Sequence, residues 1–477
     1  MNELISQLLP EFTTLAALLI LFVVTLGSNV SDKTARAISL VLALIVIATA
    51  IIATNQQGML FVQSYRIDSY SQFFKILIAV GLFANGLLGW PLRTIPGAQR
   101  PEYYFLFFAA GLGMMLLASA FNFLVLYVAM ELLSYSLYTM VGMRRARTES
   151  IESSVKYIII GATASAIGLF GVSYIYGATG SLNFGELVAS LKGSAAPSAL
   201  LLPGLIMVLS SFLFKLAAFP FHAWAPDAYE TAASPVAMFL ASVSKLAGIA
   251  FLFRLVYMVK PHLPEFETVI GILALVTMTF GNLVAFRQKS VKRLFAYSSI
   301  AQAGYLMIGM IGFGASSPIA VVFYSAIYLL MNLVVFAVVL ELENAGEDPT
   351  LDNFQGLYKR NALMAVALLV ALFSLAGVPP LAGFFGKWLL FSSAAQGGHV
   401  WFVALAILNS VISLYYYLFL VKAAYFGEAP STNEIGRSGG PRLAIFVTTV
   451  AIALLGLYPR VLTEYLSGLN LPASLLP

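Results

Sequence analysis

Four lysines, a histidine and a glutamate stand in this sequence where an apolar chain has no ordinary use for them. Lys215 and His222 belong to Phe214-Lys215-Leu216-Ala217-Ala218-Phe219-Pro220-Phe221-His222-Ala223-Trp224, and Lys245 lies about ten residues into the apolar run that begins near Pro235. Lys387 closes Val378-Pro379-Pro380-Leu381-Ala382-Gly383-Phe384-Phe385-Gly386-Lys387, and Glu131 and Lys156 sit in apolar runs that start near Asn122 and Ser153. A charge at the centre of a bilayer costs roughly 3 kcal/mol or more on insertion scales, so such groups are functional by default. The chemistry these residue types can do is proton transfer. Low polarity destabilises the charged form of a group and an opposite charge restores it, so a lysine and a glutamate that approach and separate can take up and release protons. An imidazole, whose reference pKa is near neutrality, can pass them on.

Each position also has a plainer reading. Glu131, ~13 Å into its span at 1.5 Å per residue, is the expected acid, and otherwise a static ion pair between helices. Lys215 is its expected partner, and separation of the two is the expected switch; snorkelling of Lys215 to the surface is weakened by its distance from either end of the span. Lys245, near mid-span, is the next step or a static partner for an acid on a neighbouring helix. His222 is expected to carry protons between the two lysines, or to pack at a helix end. Lys387 is expected to be the last store before release on the outer side, or a lysine bonded to carbonyls freed by a helix break. Lys156 is expected to assist Glu131, while Lys75 and Arg254, nearer span ends, are expected to snorkel. Ser242, Ser244, Tyr297, Ser298, Ser299, Gln302, Tyr324, Asn332 and Asn409 are candidates to hold water between the charged steps, although such residues also join helices to one another.

The elements that must position these groups are membrane spans. The 477 residues are 60% hydrophobic and 10% charged, far from the roughly 25% charged of a soluble domain. At about 20 apolar residues per crossing, fourteen spans are expected, beginning near Phe12, Ala37, Phe73, Tyr103, Asn122, Ser153, Leu200, Pro235, Thr268, Leu294, Pro318, Asn361, Val400 and Leu443. The polar stretch from Gly180 to Pro197 is expected to lie at the surface, with a short helix around Phe184-Gly185-Glu186-Leu187-Val188. Met1 to Glu11 holds no basic residue, so the first span is expected to stay rather than be cleaved. Sixteen Lys and Arg fall in odd-numbered loops, among them Arg145 and Arg437, and four in even loops and the C-terminal tail. That bias predicts cytoplasmic odd loops and both termini outside. The net positive charge is this bias and not a nucleic-acid surface. Six basic residues are left inside spans: Lys75, Lys156, Lys215, Lys245, Arg254 and Lys387; of the acids only Glu131 falls deep in one.

The absence of cysteine excludes thiolate-held iron–sulfur clusters, thiolate zinc and disulfides, and three histidines give no facing pair for haem. No Gly-rich phosphate cradle occurs. Any redox chemistry is therefore expected on another subunit, and no cofactor or metal in this chain.

Phe214-Lys215-Leu216-Ala217-Ala218-Phe219-Pro220 aligns with Phe373-Ser374-Leu375-Ala376-Gly377-Val378-Pro379 at an offset of 159 residues, five spans apart. An odd number of spans per copy inverts one copy relative to the other, although short apolar Pro-containing matches also arise by chance. The stretch from Asn361 to Ala395 would be ~52 Å long as one helix, so a break at Pro379-Pro380 and Gly383 is expected.

These motifs, together with Pro226-Asp227-Ala228-Tyr229 and Lys292-Arg293-Leu294-Phe295-Ala296-Tyr297-Ser298-Ser299-Ile300, resemble the antiporter-like membrane subunits of respiratory complex I, the proton-pumping NADH:quinone oxidoreductase, over nearly the whole chain. The resemblance implies an all-α polytopic membrane protein of about 14 transmembrane helices, with two inverted five-helix repeats and broken helices 7 and 12. On that plan residues 1–100 hold helices 1–3, 101–260 the first repeat, 261–427 the second, and 428–477 a loop and helix 14. Glu131 matches the family's glutamate of helix five, Lys215 the lysine of helix seven, Lys245 that of helix eight and Lys387 the basic residue of helix twelve. In such subunits these form a hydrated line that couples distant quinone reduction to proton transfer. Implied partners are other membrane subunits, including neighbouring antiporter-like ones, and lipids, in a hetero-oligomer whose other subunits carry the flavin, iron–sulfur clusters and quinone. The implied location is a bacterial plasma membrane, with a thylakoid-type membrane as the other fit. Sodium/proton antiporter complexes share this core, and a scaffold with static ion pairs is the remaining alternative.

Overall fold

The computed structural model describes residues 2–27, 30–144, 147–192, 199–312, 314, 316–429, 435–436 and 439–475; Arg145, Arg437 and the end of the polar stretch, 193–198, lie outside them. The described residues form a helical bundle with one small hairpin. A short α1 (Asn2–Gln7) leads into α2 (Leu9–Leu26) and α3 (Asp32–Ile52), and a hairpin of β1 (Gly58–Leu60) and β2 (Tyr65–Ile67) precedes α4 (Ser69–Leu88). The strands are antiparallel, with Met59 opposite Arg66; three residues of period-two pattern were too few to read as strand beside the long apolar runs. Asp68 fixes the start of α4 through a reciprocal cap, accepting from the Ser71 amide while the Ser71 hydroxyl accepts from its own.

The next stretch comprises α5 (Arg100–Ser119), α6 (Phe123–Val141), α7 (Thr148–Thr179), the short α8 (Phe184–Lys192) at the position expected for it, α9 (Leu201–Leu216), α10 (Trp224–Thr231), α11 (Ser234–Ala241) and α12 (Val243–Val259). After it come α13 (Pro264–Ala285), α14 (Val291–Met310), α15 (Ser316–Asn344), α16 (Leu357–Arg360), α17 (Ala362–Ala376), α18 (Ala382–Gln396) and α19 (Val400–Phe426). The chain closes with α20 (Gly439–Leu457), α21 (Arg460–Gly468) and α22 (Leu471–Leu475). Among the described residues eleven helices are long and apolar enough to cross a membrane. The stretch Ser234–Val259, running through α11 and α12, is largely apolar, as an interior helix is, and its apolar window is entirely buried, against little more than a quarter in α2, α3 and α20. Lys245 therefore sits in the innermost element.

Two helices stop in mid-course, where the sequence places its prolines. α9 ends on Ala217 in the left-handed region (φ 55°), whose amide bonds back to Leu213 and Phe214; α17 ends the same way on Gly377 (φ 85°), bonded to Phe373 and Ser374. The two caps are 160 residues apart (377 − 217), one more than the sequence match suggests. The match followed side-chain identity, whereas the backbone bonds set the register. Gly383 is not part of the break: it lies in α18, where a side chain would strike the carbonyl of Ser374.

A second correspondence joins the two stretches at an offset of 168. A Cβ on Gly113 of α5 would meet Leu133 N at 2.7 Å and Ala129 O at 2.9 Å on α6; one on Gly281 of α13 would meet Ala301 N at 2.7 Å and Tyr297 O at 2.8 Å on α14. Asn122 and Ser290, also 168 apart, cap α6 and α14, and each makes an isolated bridge, to Asn183 and Thr350 respectively. In this register Glu131 corresponds to Ser299 and Ser134 to Gln302.

Two expectations about charge are corrected. Lys75 does not snorkel: it is fully buried and pairs with Glu11 at 2.6 Å. Arg254 is equally buried and grips Asp68 through two bonds of 2.7 and 3.0 Å. Glu131 is therefore not the only acid inside the bundle, because Glu11 and Asp68 are buried beside these partners.

Candidate functional site

Three lysines from three separate helices are buried, each held by neutral oxygen atoms. Lys215 occupies the last turn of α9, where Leu216 and the left-handed Ala217 turn the chain away. Its ammonium donates to Ser134 Oγ at 2.9 Å, and that hydroxyl donates to Met130 O in turn. Glu131, one turn before Ser134 on α6, accepts from Ser165 Oγ of α7 at 2.7 Å. The expected acid and base thus belong to one cluster without touching. Room for it comes from α7: side chains on Gly161 and Gly168 would overlap the hydroxyls of Tyr138 and Tyr127.

The groups freed by the break in α9 find partners, as backbone away from water must. Trp224 Nε1 donates to Phe214 O at 3.0 Å, and the Phe219 amide donates to Thr277 Oγ1 of α13 at 3.1 Å. Trp224 also stacks on Tyr157, ring centres 4.0 Å apart. His222 lies in this turn against Phe219 and Phe280, and among the described residues its Nδ1 meets no hydrogen-bond partner and its ring neither Lys215 nor Lys245.

Lys245 begins α12 just beyond Ser242, where α11 and α12 part; the sequence carries no proline to announce that break. Its ammonium donates to Ser299 O at 2.7 Å and to Ser299 Oγ at 3.0 Å. Lys387 of α18 reaches back across the second break to Ala376 O at 3.2 Å, the last carbonyl of α17, and to Ser410 Oγ of α19 at 2.9 Å. It also lies 4.3 Å over the ring of Tyr305, a cation–π contact that gains from desolvation.

A chain of polar groups runs between these last two lysines. Next to Ser299, Ser298 Oγ shares a 2.5 Å bond with Tyr417 OH; Gln302 Nε2 donates to Tyr417 OH at 3.3 Å and to Leu375 O at 3.0 Å. Leu375 precedes Ala376, whose carbonyl receives Lys387. Tyr324 donates to the other end of the Gln302 amide. Asn282 ties Tyr305, Tyr416 and Asn409 together beneath Lys387. Ser298, Ser299, Gln302, Tyr324 and Asn409 were legible as polar residues in spans. Ser134, Ser165, Ser410, Tyr305, Tyr416 and Tyr417 were not singled out; for Ser134 the signal is its place one turn from Glu131, whereas tyrosines in an aromatic-rich chain give none.

Lys156 is placed elsewhere. Its half-exposed side chain pairs with Glu152 at 2.9 Å and Asp227 at 3.1 Å, and Asp227 is shared with Arg293 at 2.8 Å. Among the described residues no group of three or more His, Asp or Glu could hold a metal ion.

The family model described as NADH:quinone oxidoreductase/Mrp antiporter, TM matches residues 120–413. The chain is 39% identical over 452 residues to NADH-quinone oxidoreductase subunit N 2 of Syntrophobacter fumaroxidans, covering 94% of this chain and 96% of that one. It is similar to a chain of respiratory complex I from Thermus thermophilus with a TM-score of 0.82 and 33% identity, covering 94% and 98%. A chain of the Mrp complex from Dietzia shares the fold, with a TM-score of 0.85 at 20% identity over 100% of this chain and 98% of that one.

Proposed function

Because the chain belongs to the NADH:quinone oxidoreductase/Mrp antiporter family of membrane subunits, we propose that it is the subunit-N-type, non-redox membrane subunit of a proton-translocating NADH:quinone oxidoreductase. It moves protons along Glu131, Lys215, Lys245 and Lys387, driven by quinone reduction elsewhere in the complex. The observation that carries this reading is that three ammonium groups are buried on hydroxyl and carbonyl oxygens, with no carboxylate among the described residues in ion-pair contact. A lysine meant only to fasten helices would be cheaper to bury beside an acid, as Lys75 and Arg254 are. The bonds of Ser298, Tyr417 and Gln302 lie between Ser299, which holds Lys245, and Leu375, which precedes the carbonyl that receives Lys387, and the placing of Lys215 on Ser134, one turn along α6 from Glu131, leaves room for a pair that closes and opens. His222 is the group between Lys215 and Lys245 in this scheme, reached through water; Lys156 acts at the rim, through Asp227.

On this reading α9 with α10, α14, and α17 with α18 also cross the membrane, giving fourteen spans with the seventh and twelfth broken. The offsets of 160 and 168 support two inverted five-helix repeats, 101–260 and 261–427, behind helices 1–3 in 1–100 and ahead of helix 14 in 428–477. The subunit sits in a bacterial plasma membrane with both termini outside. Flavin, iron–sulfur clusters and quinone belong to its partners. Glu131 is only partly buried, in line with exposed Leu124, Val128 and Tyr135 on α6. A carboxylate cannot face hydrocarbon at that depth, which supports a neighbouring membrane subunit over this face. The fold shared with the Mrp chain supports a second reading, a subunit of a multisubunit sodium/proton antiporter.

The test is a pull-down of the chain from detergent-solubilised membranes with mass spectrometry. Flavin and iron–sulfur subunits are expected; small membrane subunits without redox proteins would move the assignment to the antiporter.

A further inference from the structure

Two motifs that the relay uses only in part interlock in the structure: Pro226-Asp227-Ala228-Tyr229 on α10 and Lys292-Arg293-Leu294-Phe295-Ala296-Tyr297-Ser298-Ser299-Ile300 on α14. Arg293 Nη1 meets Asp227 Oδ1 at 2.8 Å and Glu230 Oε2 at 3.0 Å, and the buried Lys292 ammonium donates to Ala232 O, at the C-cap of α10, at 2.6 Å. Asp227 takes a second cation, Lys156 of α7, on its other oxygen. On the inner side of the same helix, Trp224 Nε1 donates to Phe214 O, the carbonyl just before Lys215. The fully buried Tyr229 hydroxyl lies 3.5 Å from Ser299 Oγ, the oxygen that holds Lys245.

α10 is eight residues long, with a turn before it and the non-helical Ala232 and Ala233 after it. A helix that short is marginal by itself, so its place is set by what its side chains hold. A cation at its C-terminal carbonyl also suits the helix dipole. Ser299 Oγ gives its one proton to Ala296 O at 2.8 Å and accepts from Lys245 at 3.0 Å, which leaves a lone pair open. Tyr229 is placed to donate to it. A separation of 3.5 Å is long for a bond between hydroxyls, so a movement of α10 by ~0.5 Å makes or breaks it. The Tyr229 ring packs edge-on against Trp224 and Phe336, with centres 6.3 and 6.1 Å apart.

We propose that α10 is a strut between the Lys215 and Lys245 sites, and that Asp227 and Arg293 are positioning residues of the relay, acting through the Tyr229 hydroxyl on Ser299. The ion pairs at the rim are fasteners and exchange no proton in this scheme. They hold Tyr229 at the distance where its hydroxyl steadies the oxygen that receives Lys245. The other end of α10 is bonded to the carbonyl before Lys215, so a displacement at either lysine site reaches the other through the helix. The inference rests on the reading of Lys215 and Lys245 as relay groups.

Tyr229→Phe removes the hydroxyl and keeps the ring. It should lower the rate of proton pumping by the assembled complex roughly fivefold, the loss of about one hydrogen bond; unchanged pumping overturns the proposal. Asp227→Asn should lower it to a similar extent. Because both act on one contact, the double variant should be no slower than the slower single one, whereas losses that multiply mean independent structural effects and overturn the proposal. Arg293→Gln should match Asp227→Asn, and Arg293→Lys, which keeps the charge, should recover most of the rate; equal loss in both overturns the proposal. Electron cryo-microscopy of assembled Asp227→Asn needs no pumping: the Tyr229 hydroxyl is expected to have withdrawn from Ser299, and a hydroxyl still within 3.5 Å, as in the unaltered chain, overturns the proposal. Lys245→Ala is the control that separates the two readings. Pumping lost there but normal in Tyr229→Phe overturns the strut alone; normal pumping in assembled Lys245→Ala sinks the relay, and the strut with it.

Discussion

The Lys215 ammonium rests 2.9 Å from Ser134 Oγ, one helical turn from Glu131 and not against it. A hydroxyl is a partner that costs little to leave, and the carboxylate is held aside by Ser165. The geometry is that of an open pair. Lys215→Ala should therefore abolish coupled proton transport while the complex still assembles. Ser134→Ala should leave the buried ammonium short of a partner, at about 1–3 kcal/mol, and slow pumping by roughly tenfold, with Ser134→Thr restoring it. Pumping by reconstituted complex measures both, and normal pumping by assembled Lys215→Ala would remove Lys215 from the relay.

Gln302 is the joint of the polar chain between Lys245 and Lys387, bonded to Tyr417, Leu375 O and Tyr324. Gln302→Leu should cut proton transfer at least as far as Ser134→Ala does, without touching either lysine's own bonds. Quinone reduction measured beside pumping would show the two uncoupled; equal activity in both would mean that the chain is structural.

Gly377 has φ 85°, and a Cβ there would lie 3.0 Å from Lys387 Cδ. Gly377→Ala combines left-handed strain of roughly 1–2 kcal/mol with pressure on the lysine stem. It should lower the thermal midpoint and impair pumping together. Gly180, at φ 68° with open space around it, is the comparison: Gly180→Ala should lower stability alone.

Asp68→Asn leaves Arg254 buried without its anion and should cost about 3–5 kcal/mol, while the α4 cap survives because Asn also accepts there. Asp68→Asn with Arg254→Met should recover most of that loss, since no bare charge remains. Thermal unfolding of the two variants decides it, and additive losses would mean that the pair is not the source.

What the sequence made legible follows from where its signals are local. The breaks after Ala217 and Gly377 were visible because proline and glycine mark backbone directly. Lys215, Lys245 and Lys387 were visible because charge in a long apolar run has few meanings. Lys75 and Arg254 were misread because their partners are distant: Asp68 is 186 positions from Arg254, and neither Asp68 nor Glu11 stands deep within an apolar run. The break at Ser242 and the hydroxyls of Tyr416 and Tyr417 lacked any local mark, since an aromatic side chain reads first as core.

The corresponding positions of the two glycine-sealed helix pairs do not carry the same charge. Glu131 in the first is Ser299 in the second, and among the described residues no acid pairs with Lys245 or Lys387. The two pairs thus offer their lysines unlike electrical surroundings: Lys215 rests on a hydroxyl one turn from a carboxylate, whereas Lys245 and Lys387 rest on neutral oxygens alone. Such an arrangement is polar in the sense of a dipole. A change of charge at Glu131 acts first on the ammonium bonded to its neighbour Ser134, because the interaction falls inversely with distance. A scaffold that is nearly the same twice over therefore carries a charge pattern that is not.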